Sequence, residues 1–294
     1  PRTLFPYTTL FRSIMKNLLD HNKLPPYTNL NKYGIPLALF IVGLIVLLLR
    51  NPDPFINPIV YAEDGMWVAL GLSKGWLYAF IYARTDYFVV INILLLLIST
   101  KLSTLFTGNP LTQLPEAIAA ISFSFFSTTA TLSFITLRRI SSTGFAITVF
   151  FVIIMLPLGI TQNEIIGRIL QIGFYIPLIS VLLFFWRNKV SNKSSKLLID
   201  FILLLCAATN PVVLAICFLY LLQDLSRDWS FLACFKRTFS LALPFTIFLA
   251  CLLPRIGGKG GIPGEFNSHN LIETIIARPV IYPFIFPWYQ HLSN

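Results

Sequence analysis

Long runs without a charged residue recur along most of this chain. They cover Tyr33–Leu49, Tyr87–Thr100 (extendable to Phe106), Ala117–Leu137, Ser141–Asn163, Ile169–Trp186, Phe201–Gln223 and Thr238–Pro254, and an eighth begins at Pro279. Each run is close to the roughly 20 residues that a helix needs to cross the hydrocarbon core of a bilayer. Lipid cannot satisfy an open backbone, so spanning segments are helical. The pattern predicts an all-α, polytopic transmembrane helical bundle in a single domain.

Composition supports a membrane setting. Hydrophobic residues make up 56% of the chain and charged residues only 12%. The net charge of +10 could suggest a nucleic-acid partner, but the basic residues are spread over the segments between apolar runs. Such a distribution is typical of loops that flank membrane spans, so no nucleic acid is expected.

Both ends of the sequence have unusual features. The stretch "TLFPYTTLFRS", Thr3 to Ser13, resembles the translation of a sequencing adapter, so residues 1–14 are interpreted as a non-native leader. The run that begins at Pro279 reaches only about half the length of a span before Asn294. We therefore expect residues 15–294 to be a fragment of one transmembrane domain, truncated at its C-terminus.

Basic loops predict the orientation, because short basic loops stay in the cytoplasm. Lys16, Lys23 and Lys32 precede the first run, and the loop from Arg187 to Lys196 contains four basic residues and no acid. The N-terminus is then cytoplasmic. One crossing per run would nevertheless place the Arg187 loop outside. We expect the irregular segment between Tyr87 and Leu137, as a re-entrant pair or an unusually placed crossing.

The first outer loop contains the most prominent polar feature. Prolines 52, 54 and 58 predict an extended exit from the first run, followed by Glu63 and Asp64. The next residues, with Trp67 and Trp76, predict a helix that lies along the membrane interface. A carboxylate held there is poorly hydrated, which raises its pKa and suits it to proton exchange. The alternatives are that Glu63 and Asp64 are solvated loop charges, or that they mark the start of a helix with Asp64 as its cap.

Two further segments show candidate chemistry. Asn210 and Pro211 interrupt an apolar run, which predicts either two half-helices or one kinked span, because proline disfavours helical geometry before it. The glycine-rich loop around Arg255 and Lys259 is either a flexible connector or an outer loop that contacts a lipid-linked phosphate. The four cysteines and three histidines lack the spacing of a metal site, and no cofactor is predicted.

The order of these features resembles the GT-C superfamily of polytopic membrane glycosyltransferases, in particular its uncharacterised bacterial relatives. The likeness is in "AEDG" followed by an interfacial helix, "TDYF" with Asp86, "LPLGITQNEIIGRILQIGFY" with Asn163 and Glu164, and "DFILLLCAATNPVV" with Asn210. The resemblance covers about residues 30 to 225. It implies a multi-pass protein of the bacterial cytoplasmic membrane.

The resemblance also implies an activity and a set of roles. Such enzymes transfer a sugar from a polyprenyl-phosphate donor to a glycan or lipid acceptor outside the cytoplasm. An acidic residue of the first outer loop is their catalytic base, which is Asp64 or Glu63 here. Glu164 is the remaining counterpart of a second acidic site. The other candidate substrate-binding residues are Asp86, Asn163, Asn210, Arg255 and Lys259.

Two other functions fit the same residues. A transporter or flippase of a lipid-linked or anionic solute also uses broken helices and intramembrane polar groups. A structural or assembly subunit without chemistry is a third possibility. Acids at the ends of spans favour the enzyme, whereas a transporter needs its polar groups near the middle of the membrane.

Overall fold

The computed structural model describes residues 33–84, 87–156 and 165–228. These residues form helices and no β-strand, so the predicted all-α class is confirmed. The α-helices are α1 (Ile35–Arg50), α2 (Asp53–Ile56), α3 (Ala62–Lys74), α4 (Trp76–Tyr82), α5 (Val90–Thr107), α6 (Leu114–Leu137), α7 (Thr143–Ile154), α8 (Ile176–Lys189), α9 (Lys193–Ala207) and α10 (Val212–Asp228). A 3-10 helix covers Leu170–Phe174.

Two helices in the described part of the chain, α5 and α6, are long and apolar enough to cross a membrane. Apolar segments of α1, α7 and α10 are shorter. These helices give limited support for association with a membrane, since the buried helix of a soluble protein can have the same length and composition. The predicted runs from Thr238 and from Pro279 lie outside the described residues.

Local sequence signals set several helix boundaries. The Ser142 hydroxyl accepts a hydrogen bond from the Phe145 amide at the start of α7. The Asn192 side chain accepts one from the Ser194 amide at the start of α9. Both contacts satisfy amides that lack a partner inside their own helix. Gly108 ends α5 with a φ of 72°, a conformation that glycine adopts without steric cost.

Helix α6 lies at the centre of the packing and contacts α1, α5, α7 and α8. Small side chains on α6 allow close approach by its neighbours. Ser127 donates a hydrogen bond of 2.6 Å to the Phe40 carbonyl of α1. A Cβ atom at Gly43 of α1 would collide with the Ser127 hydroxyl. Glycine and serine therefore permit the close crossing of α1 and α6.

Contacts along α6 define two ends of the structure. Phe123 packs on Phe55, which follows α1, so α1 and α6 are antiparallel. Phe126 packs on Tyr175 and Thr136 accepts a hydrogen bond from Trp186, so α8 runs parallel to α6. We call the end with the C-termini of α6 and α8 the Arg187 end. The end with the C-terminus of α1 and the N-terminus of α3 is the Asp64 end.

The interruption at Asn210 produces two helices, α9 and α10. Arg187 hydrogen-bonds both Asp200 of α9 and Tyr220 of α10, which lie equally far before and after Asn210 in sequence. The two helices are therefore a hairpin with its turn at the Asp64 end. Of the two alternatives from the sequence, two half-helices are correct and a single kinked span is wrong.

Helix α5 belongs to the segment in which the sequence predicts an irregular crossing. It begins at the Asp64 end, where the Val90 amide donates to the Ala208 carbonyl. It ends beside the N-terminus of α6, because Ser103 hydrogen-bonds both Asn109 and Gln113. Helix α5 therefore runs from the Asp64 end to the N-terminus of α6 and does not reach the Arg187 end. That this segment is the irregular crossing stays a prediction.

Two local predictions need correction. The proline segment after α1 is not fully extended, because Asp53–Ile56 forms a helical turn with Pro54 near its start, where a missing amide hydrogen costs nothing. The single interfacial helix is two helices, α3 and α4. They separate at Gly75, whose φ of 92° is incompatible with a continuous helix.

Candidate functional site

The acidic pair lies in the first turn of α3, which has Tyr61 as its N-cap residue. The helical geometry directs the two neighbouring side chains to different surroundings. Asp64 faces the interior and is fully buried, whereas Glu63 is half-buried. The two acids are therefore not equivalent, and the interpretation of Asp64 as a solvated loop charge is wrong.

Asp64 contacts a distant segment instead of the start of its own helix. Its Oδ2 atom accepts a hydrogen bond of 3.1 Å from the Ile169 amide. Ile169 precedes the 3-10 helix Leu170–Phe174, whose first amides have no intrahelical partner. Asp64 thus caps that helix from α3, and the alternative that it caps α3 is also wrong. Its other oxygen, Oδ1, is buried without a hydrogen-bond partner.

This environment shifts the acidity of the carboxyl group. Burial raises the pKa of Asp64 from 3.8 to about 6, because the charged form loses its hydration. The amides of Ile169 and Leu170 and the Arg168 guanidinium favour the charged form and limit the rise in pKa. A carboxyl group with this pKa exchanges protons near neutrality, as predicted for Asp64 if it is poorly hydrated.

Two residues that the sequence analysis did not select complete the surroundings of Asp64. Asn92 of α5 is buried and donates hydrogen bonds of 2.6 Å and 3.0 Å to the carbonyls of Ile169 and Leu170. Its Oδ1 atom, like that of Asp64, is buried without a partner. Arg168 donates a bond of 2.8 Å to the Ile59 carbonyl and lies over the Tyr61 ring. The sequence signal that could have identified them is their polarity, because Asn92 lies inside an apolar run and Arg168 directly before one.

Asn210 holds the other end of the same segment. Its amide nitrogen donates a hydrogen bond of 2.9 Å to the Gly173 carbonyl, and its oxygen accepts one from the Val212 amide. Asp64 and Asn210 therefore both contact the stretch from Ile169 to Gly173. They do not meet in an open cleft, because each side chain bonds to backbone.

Asn163 and Glu164 lie outside the described residues, but the residues on either side belong to the Asp64 end. Arg50 at the end of α1 donates to the carbonyls of Ile154 and Leu156. Asn51 donates a bond of 3.0 Å to the Ile166 carbonyl. The assignment of Glu164 as the second acidic site stays a prediction.

The remaining candidates cannot be located. Asp86, Arg255 and Lys259 lie outside the described residues. Within the described ranges, no group of three or more His, Cys, Asp or Glu side chains could hold a metal ion. The site thus consists of one buried carboxyl group, a half-buried carboxylate beside it, and a polar segment fixed between two helices.

Comparisons with protein-family models, with characterised proteins and with solved structures give no match for this chain.

Proposed function

We propose that this protein is a multi-pass membrane glycosyltransferase of the GT-C type. It transfers a sugar from a polyprenyl-phosphate donor to an acceptor at the outer face of the bacterial cytoplasmic membrane. The observation that supports it best is the acidic pair at the start of α3, with Asp64 fixed on Ile169 and Glu63 half-exposed beside it. A sugar transfer of this kind needs a carboxylate at a defined position to take up a proton.

Charge supports the proposed placement in the membrane. Arg139, Lys189 and Lys193 at the Arg187 end are exposed and Lys196 is half-buried, while Asp200 and Asp224 at this end are buried. An excess of exposed basic residues marks the cytoplasmic side. The N-terminus of α1 lies at the same end, which agrees with a cytoplasmic N-terminus. The Asp64 end then faces outward, and the α9–α10 hairpin enters from the cytoplasm and returns to it.

Burial assigns different roles to the two acids. Glu63 is the member of the pair that a substrate can touch, so we assign it as the general base. The acceptor hydroxyl oxygen attacks the anomeric carbon of the sugar, Glu63 takes the hydroxyl proton, and polyprenyl phosphate leaves with the electrons of the broken C–O bond. Asp64 is a positioning residue, because it fixes the start of α3 to the segment from Ile169.

The test uses the full-length protein, membranes from a deletion strain and a panel of polyprenyl-phosphate sugars. Glu63→Gln should lower the rate of sugar transfer by about 10²- to 10⁴-fold, the usual contribution of a general base. Asp64→Asn should also reduce transfer. The matched control is Asp53→Asn, because Asp53 is a half-buried acid at the same end that bonds Asn57. Its rate should stay unchanged.

A transporter or flippase is the second candidate, and the hairpin break at Asn210 favours it. Discontinuous helices with polar groups at the break are a common feature of secondary transporters. Full transferase activity in both Glu63→Gln and Asp64→Asn, or an unaltered glycan in the deletion strain, would favour this candidate. Solute movement in proteoliposomes that contain the purified protein would then be measured.

A further inference from the structure

A groove between α8 and α10 lies at the Arg187 end, away from the acidic pair. It encloses a cavity of about 360 Å³. Val181 and Phe185 of α8 face Ile216 and Leu219 of α10 across it. Phe184 stacks on Tyr220 at a centroid distance of 4.4 Å. The walls are thus apolar along most of the groove, in the size range of small-molecule sites.

Polar groups lie only at the end of the groove nearest the C-termini of α8 and α10. Asn188 and Gln223 line that end, each about one helical turn beyond the hydrophobic residues with which its helix lines the groove. The next residue of α8, Lys189, is exposed. The groove therefore has the polarity of a lipid, with an apolar length and one polar end.

A hydrogen-bond chain fixes the chemistry of this polar end. Buried Arg187 donates to the Tyr220 hydroxyl at 3.3 Å, and the hydroxyl donates to the Asn188 oxygen at 2.7 Å. Because the Asn188 oxygen accepts from Tyr220, its amide nitrogen is the group available to a ligand. That nitrogen is a donor, so the ligand head contains an acceptor. Lys189 is exposed at the next position of α8, and its charge favours a negative head within reach of its long side chain.

We propose that this groove binds an anionic phospholipid, with one acyl chain between α8 and α10 and its phosphate at Asn188 and Lys189. The site rests on the membrane placement proposed above but not on glycosyl transfer. In that placement the polar end lies at the cytoplasmic surface, where anionic lipids are concentrated and where pockets between helices bind their head groups. The polyprenyl-phosphate donor belongs to the opposite end.

The experiment measures lipid retention by the full-length protein in detergent, using native mass spectrometry. The probes are dioleoyl phosphatidylglycerol and dioleoylglycerol, which has the same chains without phosphate. We expect retention of phosphatidylglycerol but not of dioleoylglycerol. Asn188→Asp keeps the acceptor for Tyr220 and replaces the donor by a negative oxygen, so it should weaken phosphatidylglycerol binding at least about tenfold.

A second variant tests the apolar part independently of the head group. Leu219→Trp fills the groove and should abolish retention. The matched control, Leu105→Trp, makes the same change at an exposed position of α5 and should have no effect. A phosphatidylglycerol with a photoreactive acyl chain should label peptides that contain Phe185 or Leu219.

Three results would overturn the proposal. The first is equal retention of the two lipids, and the second is unchanged retention in both Asn188→Asp and Leu219→Trp. The third is a Leu219→Cys side chain that resists maleimide in delipidated protein, because the groove is then covered by another segment of the chain or by a second copy. If the full-length wild-type protein retains the lipid but transfers no sugar, only the proposed enzymatic function is rejected.

Discussion

Two buried aspartates, one at each end of the structure, have opposite surroundings. Asp200 of α9 forms a double hydrogen bond with Arg187, from Nε to Oδ1 at 2.5 Å and from Nη2 to Oδ2 at 3.1 Å. Arg187 also bonds Tyr220, so three helices meet in one network. Both oxygens of Asp200 thus have partners, and the network fixes the α9–α10 hairpin on α8.

Asp64 is equally buried but incompletely satisfied. One oxygen accepts from the Ile169 amide, and the other has no hydrogen-bond partner. Its pKa is raised to about 6, mainly by burial. A fully paired buried charge stabilises a particular arrangement of helices, whereas a buried carboxyl group that is costly to ionise is typical of a functional site. The difference teaches that burial alone does not distinguish the two roles.

The largest expected effect is at the paired aspartate. Asp200→Ala should lower the free energy of unfolding by about 3–5 kcal/mol, because it leaves the buried Arg187 without its counter-charge. Thermal unfolding of the purified protein, followed by tryptophan fluorescence, measures the loss.

The control for this prediction replaces both members of the pair. Arg187→Met with Asp200→Leu removes both members of the pair and leaves neither charge without its partner, so most of the lost stability should return. A double variant as unstable as Asp200→Ala would show that the network has a role beyond charge pairing, and the comparison with Asp64 would fail.

The second prediction concerns the pH dependence of stability due to Asp64. Its folded pKa of about 6 exceeds the ordinary 3.8, so the folded state binds this proton more tightly than the unfolded state. The resulting stabilisation is full below about pH 4 and is lost as the pH rises through 6. It amounts to about 3 kcal/mol at 1.36 kcal/mol per pKa unit.

Asp64→Asn removes this titration and almost preserves the shape of the side chain. The unfolding temperature of the wild type should therefore fall relative to that of Asp64→Asn between pH 4 and pH 7. At neutral pH, Asp64→Asn should therefore be more stable than the wild type but should transfer less sugar. A functional group that is costly to bury is expected to show this combination. If the unfolding temperatures of the two proteins change in parallel across this pH range, Asp64 does not have the raised pKa assigned to it.

The smallest expected effect separates the two contacts of Asn210. Asn210→Ser keeps a short acceptor for the Val212 amide but loses the bond to Gly173, and should cost about 1 kcal/mol. Asn210→Ala loses both contacts and should cost about 2 kcal/mol. If the two variants are equally stable, the loss of stability comes from the hydrogen bond to Gly173 alone. The contact of Asn210 with the Val212 amide then contributes nothing measurable.

The sequence by itself determined the all-α fold class and the approximate positions of α1, α5 and α6. Apolar runs predicted helices, and Asn210 with Pro211 predicted the break between α9 and α10. The acidic pair was visible because two neighbouring acids are conspicuous in a chain with few charges. These properties are local, since they depend on residue type and spacing.

Only the tertiary structure decided how the pair differs and what it contacts. The first turn of α3 buries Asp64 and leaves Glu63 half-exposed, which depends on how α3 packs against its neighbours. Asn92 and Asn210 both hydrogen-bond the segment from Ile169 to Gly173, because helices that are distant in sequence pack together there. The sequence could not predict that Asp64 caps the 3-10 helix after Ile169, because hydrogen bonds between distant segments follow from the packing of whole helices and not from local spacing.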